Sequence, residues 1–235
     1  SESQRQFLIE QKICNHDKLS ILGHGSISGV DAEKFSPDGE YRSKIRKRFN
    51  ISNDTCLILF VGRIVKDKGL VGLVEVFNDL CSKHTDVTLM LIGPDDEGLA
   101  SELQNIVKSE NQSRFICMGL SESPEKFMSA ADIFCMPSYR EGFGVAALEA
   151  SSCALPVVGT QIHGLSDAVI NDKTGILVPV ADHFELGNAL SKLIQNPKLR
   201  ERYGRAGRER TIKEFRRQNV IKLYSNFFRR AIEKT

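Results

Sequence analysis

No apolar run in this 235-residue chain approaches the roughly 20 residues of a membrane span, and its first residues carry no signal-peptide pattern. C-x-x-C pairs are missing as well: Cys14, Cys56, Cys81, Cys117, Cys135 and Cys153 are scattered singly. That spacing argues against disulfides and against a zinc site, and it points to a reduced, cytosolic protein. A Walker lysine loop, a G-x-S-x-G elbow and an H-E-x-x-H pair are also absent, which removes three common enzyme signatures. The glycines at 23, 25 and 29 miss the G-x-G-x-x-G spacing, so this stretch reads as an interdomain turn. Asp95 and Asp96 open a helix with no metal-ligand spacing around them, and no metal is expected. Internal repeats and low-complexity tracts are not found.

What is present is an ordinary globular composition, 41% hydrophobic and 26% charged. The net charge of +2 is unevenly spread, because residues 198–235 hold 13 Lys and Arg against 4 Glu. That stretch reads first as a solvated helical face, with a basic surface for membrane headgroups or nucleic acid as the alternative. Ile212, Phe215, Val220, Tyr224, Phe227, Phe228 and Ala231 recur there at helical spacing, so one face is built for burial.

Strand-like apolar runs fall at 57–61, 87–92, 114–118, 132–136, 155–158 and 175–178. Helix-period segments fall at 69–83, 97–110, 124–130, 145–153, 182–195, 198–212 and 214–233. Residues 1–14 read as an amphipathic helix, followed by a strand-like run at 19–22. Continuous apolar strands separated by helices predict a doubly wound parallel α/β sheet, Rossmann-like, covered on both faces. Ligands in such sheets bind beyond the carboxyl ends of the strands. Gly62-Arg63, Gly93-Pro94, Gly119-Leu120-Ser121 and Ser138 to Gly144 all follow strands, so four strand ends converge on one rim.

Two carboxylates, Glu141 and Glu149, bracket the Gly142-Phe143-Gly144 turn and the start of an apolar helix. A glycine turn running into a helix suits an anion, since backbone can approach closely and the first helical amides point at it. Carboxylates at both ends suit a ligand that carries hydroxyls as well as phosphate. Glu149 lies about one and a half turns into the helix, where it takes two ribose hydroxyls or serves as a structural cap or ion-pair partner. Arg63 and Lys68 flank the next helix start, and two cations there want an anion between them. A bidentate Arg and a point-charge Lys suit a diphosphate. His24 and His163 read as structural.

Glu141-x7-Glu149 within Ser138-Tyr-Arg-Glu-Gly-Phe-Gly-Val-Ala-Ala-Leu-Glu-Ala, together with Gly62-Arg63 and Lys68-Gly69, resembles the donor-binding half of retaining family 4 glycosyltransferases of the GT-B fold. Ser28-Gly29-Val30-Asp31 and the run from Asn171 to Val178 extend the resemblance over about residues 19–232. The Gly-His-Gly-Ser and His163-Gly-Leu-Ser-Asp variants resemble bacterial enzymes of capsule and O-antigen synthesis.

The resemblance implies that Arg63 and Lys68 hold the donor diphosphate, that Glu141 meets the donor sugar and that Glu149 meets the ribose. It implies that amides of Gly142, Phe143 and Gly144 line phosphate and sugar, and that Leu120 and Ser121 border the base. A UDP-sugar is the donor expected from family frequency, with no metal or other cofactor, no nucleic acid partner, and a glycan or lipid-linked acceptor. The implied organisation is 1–18 as a residual N-domain helix and linker, 19–213 as the donor domain and 214–235 as a C-terminal crossover helix. An N-terminal acceptor domain is then missing, and the expectation is weak donor binding with little transfer by this chain alone. A cytoplasmic site, or a peripheral one at the inner membrane face, follows from the same resemblance. The competing readings are a non-catalytic nucleotide-binding subunit needing a partner chain, and another GT-B enzyme such as a phosphorylase or a sugar-nucleotide epimerase. The glutamate pair argues against the epimerase.

Overall fold

The structure, a computed structural model, describes residues 1–233. Six strands form one sheet: β1 (Cys56–Val61), β2 (Val87–Ile92), β3 (Phe115–Cys117), β4 (Ile133–Met136), β5 (Val157–Thr160) and β6 (Gly175–Val178). All neighbours are parallel, in the order β3-β2-β1-β4-β5-β6. The expected doubly wound sheet is therefore the observed one, with the six strand runs from 57–61 to 175–178 in place to within about two residues.

The strands are continuous apolar runs because both faces are covered. Ile58 and Phe60 of β1 point into one core with α3 (Leu70–Lys83), α4 (Leu99–Ile106) and α8 (His183–Gln195). Leu57 and Leu59 point into the other, with α5 (Pro124–Ala130), α6 (Val145–Ser152) and α7 (Leu165–Ala168). Of the cysteines on strands, Cys56 and Cys135 are buried and Cys117 is half-buried. Burial pushes the Cys56 thiol up to about 12, so it behaves as a small core residue.

Three sequence expectations are corrected. Residues 19–22 form no strand; the Leu19 carbonyl instead accepts from Arg5 Nε at 3.3 Å. Arg5 belongs to α1 (Glu2–Glu10), which is shorter than the expected 1–14 helix. The segment expected as helix over 97–110 stops at Ile106, because Asn78 of α3 intercepts its end. The Asn78 amide donates to Ile106 O at 2.9 Å and accepts from Lys108 N at 3.0 Å. A 3-10 turn, Ser109–Arg114, follows.

Two helices, the four-residue α7 and a longer one, had no counterpart in the sequence expectations. α2 (Gly39–Arg48) buries only Ile45 and Arg46, so it shows no apolar stripe. Arg46 is 2% exposed and donates to the carbonyls of Ser52, Thr55 and Ala130. It also pairs with Asp132 at 3.1 Å, and Arg42 pairs with the same carboxylate at 2.8 Å. Asp132 accepts from Leu57 N at 2.8 Å, which ties β1 to the start of β4.

α9 (Pro197–Glu214) packs so closely on the end of α6 that a Cβ on Gly204 would lie 1.9 Å from the Ala154 carbonyl oxygen. Gly204→Ala is expected to lose about 1–3 kcal/mol by overpacking, read as a lower urea midpoint at unchanged slope. α10 (Arg217–Ile232) ends the described chain with only Val220 buried. Of the face read as built for burial, Phe215 and Val220 are buried while Phe227 and Phe228 are exposed. Residues 234–235 of the expected crossover helix lie outside the described residues. No described helix is long and apolar enough to cross a membrane.

Candidate functional site

The sheet order reverses direction between β1 and β4: from β1 the chain winds outward to β2 and β3, and from β4 to β5 and β6. The loops leaving β1 and β4 therefore diverge and open a crevice at their carboxyl ends. Arg63 and Lys68 sit on the first loop, and Ser138 through Gly144 make the second.

The two loops are interlocked. Gly69 has φ 67° and lies against Pro137, whose carbonyl oxygen would be 2.2 Å from any Cβ placed there. Tyr139 N donates to Asp67 O at 2.8 Å, and Arg140 pairs with Asp67. At the centre, Lys68 Nζ donates to Glu141 Oε1 at 2.6 Å, and Ser138 Oγ donates to the same oxygen at 2.7 Å. Lys68 is 15% and Glu141 12% exposed, so the ion pair is mostly shielded from water. Arg63 is exposed, and its guanidinium has no ion-pair partner among the described residues.

Arg63, Lys68 and Glu141 line a cavity of about 380 Å³ together with Gly142, Phe143 and Gly144. Val145 and Ala146, the first residues of α6, complete it, so the amino end of that helix opens into the cavity. Phe143 anchors the loop with its ring, which is buried edge-on against Phe215 at 5.7 Å. Gly144 needs its φ of 73°, because a Cβ would meet Leu165 of α7 at 2.8 Å. The arrangement offers two cations, a carboxylate and helix amides around one space, which suits an anion bearing hydroxyl groups.

Three residues named from the sequence lie elsewhere. Leu120 is 72% exposed beyond the edge strand β3, and Ser121 only accepts from Ser123 N at 3.2 Å. Neither lines the Arg63–Glu141 cavity. Glu149 sits deeper along α6, half-buried, and its carboxylate has neither a hydrogen bond nor an ion pair among the described residues. The structural alternative of a cap or ion pair is thus not what the fold provides. Burial pushes its carboxyl up from 4.5 to about 7, while Lys34 and Arg217 pull it down and Glu125 pushes it up. Shielded acceptors in folded proteins usually have a donor, and Glu149 departs from that rule among the described residues.

Ser138 and Asp67 were not read from the sequence as site residues, although Ser138 donates to Glu141 and Asp67 holds Tyr139 N and Arg140 of the second loop. Their only signal was position: each stands within three residues of a named site residue. Among the histidines, His24 lies 3.8 Å from Glu214 and edge-on to Phe215, and His163 packs on Phe7 at 4.9 Å.

The Glu149 carboxyl gives a sign-definite stability test. Below pH 4.5 it is neutral in both folded and unfolded chains and contributes nothing. Between 4.5 and about 7 the unfolded chain ionises while the folded one stays protonated, so stability falls as pH rises. Glu149→Gln is expected to match wild type near pH 4.5 and to exceed it by roughly 2–3 kcal/mol at pH 8. Urea titrations at the two pH values check this, and a variant no more stable at pH 8 removes the desolvated carboxylate.

Residues 41–210 match the family model described as Glycosyl transferases group 1. The capsular polysaccharide biosynthesis glycosyltransferase CapM of Staphylococcus aureus is 32% identical over 237 residues, covering 98% of this chain and 61% of CapM. Sucrose-phosphate synthase from Thermosynechococcus elongatus superposes with a TM-score of 0.88 at 25% identity, over 100% of this chain and 58% of that one. Anabaena HepE, solved in complex with UDP, superposes with a TM-score of 0.86 at 19% identity, over 99% of this chain and 62% of its own. These neighbours carry the GT-B fold, as expected of the sheet. The chain spans about 61% of the length of CapM.

Proposed function

The chain belongs to the Glycosyl transferases group 1 family, and from that premise we propose that it is the donor-binding part of a retaining family 4 glycosyltransferase. The enzyme moves a sugar from a nucleotide-sugar, a UDP-sugar, to a glycan or lipid-linked acceptor in surface polysaccharide synthesis. The observation that carries this reading is the convergence of Arg63, Lys68, Glu141 and the amino end of α6 on one cavity at the reversal of the sheet. The capsular role draws on the likeness to CapM, and the donor base on the UDP held by HepE.

In this reading Arg63, Lys68 and the α6 amides neutralise the diphosphate as it departs, a charge arrangement that needs no metal ion. Glu141 accepts from hydroxyls of the donor sugar. Glu149 accepts from the ribose diol, whose two O–H groups supply the donors its carboxylate lacks. Leu120 and Ser121 border the base only from the rim. Residues 19–213 form the donor domain, and 1–18 with 214–235 connect it to a preceding acceptor domain, which would cover the exposed aromatic face of α10. Peripheral contact with the inner membrane face belongs to that whole protein.

Calorimetry with UDP, GDP, ADP and their glucose conjugates tests the reading. UDP-glucose is expected to bind, and Glu149→Ala is expected to weaken it about tenfold to a hundredfold, the worth of hydrogen bonds to a charged group. Binding of no nucleotide, or indifference to that substitution, would sink the assignment.

Ionisation of Glu149 adds a pH signature. The diphosphate of UDP-glucose does not titrate near neutrality, so the protein's carboxyl dominates. Binding to the ionised form makes Kd about tenfold larger at pH 6 than at pH 8. A flat profile between those values contradicts a ribose contact at Glu149.

A further inference from the structure

Glu141 separates two spaces of different chemistry. On one side is the cationic cavity with Arg63 and Lys68. On the other is a larger one of about 540 Å³, walled by the rings of Phe7, Tyr139 and His163 and the amides of Gln4 and Gln161. Its charged walls are Arg140 and Glu141, and each is already paired, with Asp67 and Lys68 respectively. Among the described residues no free cation faces inward, so a phosphate has little to gain there. Ring faces beside amides that both donate and accept suit a neutral polyhydroxylated ring, and the volume lies within the roughly 300–1,000 Å³ of small-molecule sites.

The outer wall is α1, and α1 is pinned. Ser3 Oγ donates to Asp167 Oδ2 and accepts from Gly164 N at 2.8 Å, while Ser3 N donates to Asp167 Oδ1 at 3.2 Å. The Gln4 amide donates to the Gly142 carbonyl. Phe7 and His163 pack ring on ring. Gly164, with φ 83°, sits so close to that carbonyl that a Cβ would lie 2.5 Å from it. Helix α1, the turn before α7 and the glycine loop are thus one hydrogen-bonded unit, and the chamber between them is a formed space.

We propose that this chamber is an acceptor-ring subsite: it takes a neutral pyranose ring and presents one of its hydroxyls past Glu141 to the sugar on the diphosphate. The inference rests on the donor reading of the Arg63–Lys68 cavity. In the transfer, the acceptor oxygen forms a bond to the anomeric carbon as that carbon's bond to the diphosphate oxygen breaks. The bonding pair leaves with the diphosphate, which Arg63 and Lys68 neutralise, and the hydroxyl proton ends on a phosphate oxygen. Part of acceptor recognition then resides in this chain, on α1 and the loop after β5.

The test is saturation-transfer NMR on the 235-residue chain with UDP and a panel of methyl pyranosides of glucose, galactose and N-acetylglucosamine. Saturation is expected to reach at least one pyranoside, to fall at least fivefold in Gln161→Ala and in His163→Ala, and to persist in Lys68→Ala. Both chamber residues are exposed, and the UDP signal in the same sample reports that the variants are folded. No pyranoside signal beside an intact UDP signal overturns the proposal, as does a signal that neither chamber substitution lowers. Displacement of the pyranoside by UDP-glucose but not by UDP assigns the chamber to the donor's own ring and overturns it too. Loss of the UDP signal in wild type sinks the donor reading itself.

Discussion

Lys68→Ala is expected to raise the Kd for UDP-glucose by about a hundredfold to a thousandfold, which places it beyond ordinary calorimetric detection. The loss has two parts. A charge-assisted hydrogen bond from Lys68 to the diphosphate is worth about 1.5–3 kcal/mol. Removing the lysine also leaves Glu141, only 12% exposed, as an uncompensated anion facing the incoming phosphates. The second part is separable, because Lys68→Ala combined with Glu141→Gln removes the repulsion. The double variant is expected to recover about tenfold of the lost affinity when weak binding is followed by competition NMR. Arg63→Ala has no such second part, since its guanidinium is exposed and has no ion-pair partner among the described residues, and about a tenfold loss is expected. Equal losses for the two single variants would contradict the role assigned to the Lys68–Glu141 pair.

The largest stability effect belongs to Arg46, at the opposite end of the sheet. Arg46→Met is expected to cost about 3–5 kcal/mol, the range for breaking a buried ion pair by removing one partner. The guanidinium serves three backbone carbonyls and shares Asp132 with Arg42. Without it those carbonyls and the carboxylate lose donors inside the fold. At this chain length each kcal/mol moves the midpoint by about 2–4 °C, so thermal unfolding is expected at least 6 °C lower. Asp132 precedes β4 and Leu57 lies near the start of β1, both far from the rim. UDP-glucose affinity of the still-folded variant, measured at 10 °C, is therefore expected to stay within twofold of wild type. A midpoint shift below 2 °C would show that water satisfies these groups.

The contrast between these two residues shows what could be read from the chain. The strands were legible because Leu57 to Phe60 and their counterparts are buried on both faces, which demands unbroken apolar runs. Arg63, Lys68 and Glu141 were legible because strand ends of a parallel sheet gather on one rim. α2 was not, since Ile45 and Arg46 alone enter the core and an arginine carries no hydrophobic signal. The end of α4 escaped because it is set by Asn78, a side chain from another helix. Glu149 stood out by its spacing from Glu141, but spacing could not tell that its carboxyl is shielded without a partner among the described residues. The chamber under α1 depends on pairings such as Ser3 with Asp167, 164 positions apart, and no local pattern encodes those.

The Lys68–Glu141 contact also bears on which anions the proposed donor site will ignore. Inorganic phosphate or sulfate must pull Lys68 away from its carboxylate and has nothing to give Glu141 in return. In the proposed donor reading, a sugar diphosphate divides the pair between its own two halves, phosphate to the lysine and hydroxyls to the glutamate. Discrimination against the millimolar background of small anions therefore falls on the severed ion pair, which only a ligand carrying both chemistries can replace at both ends.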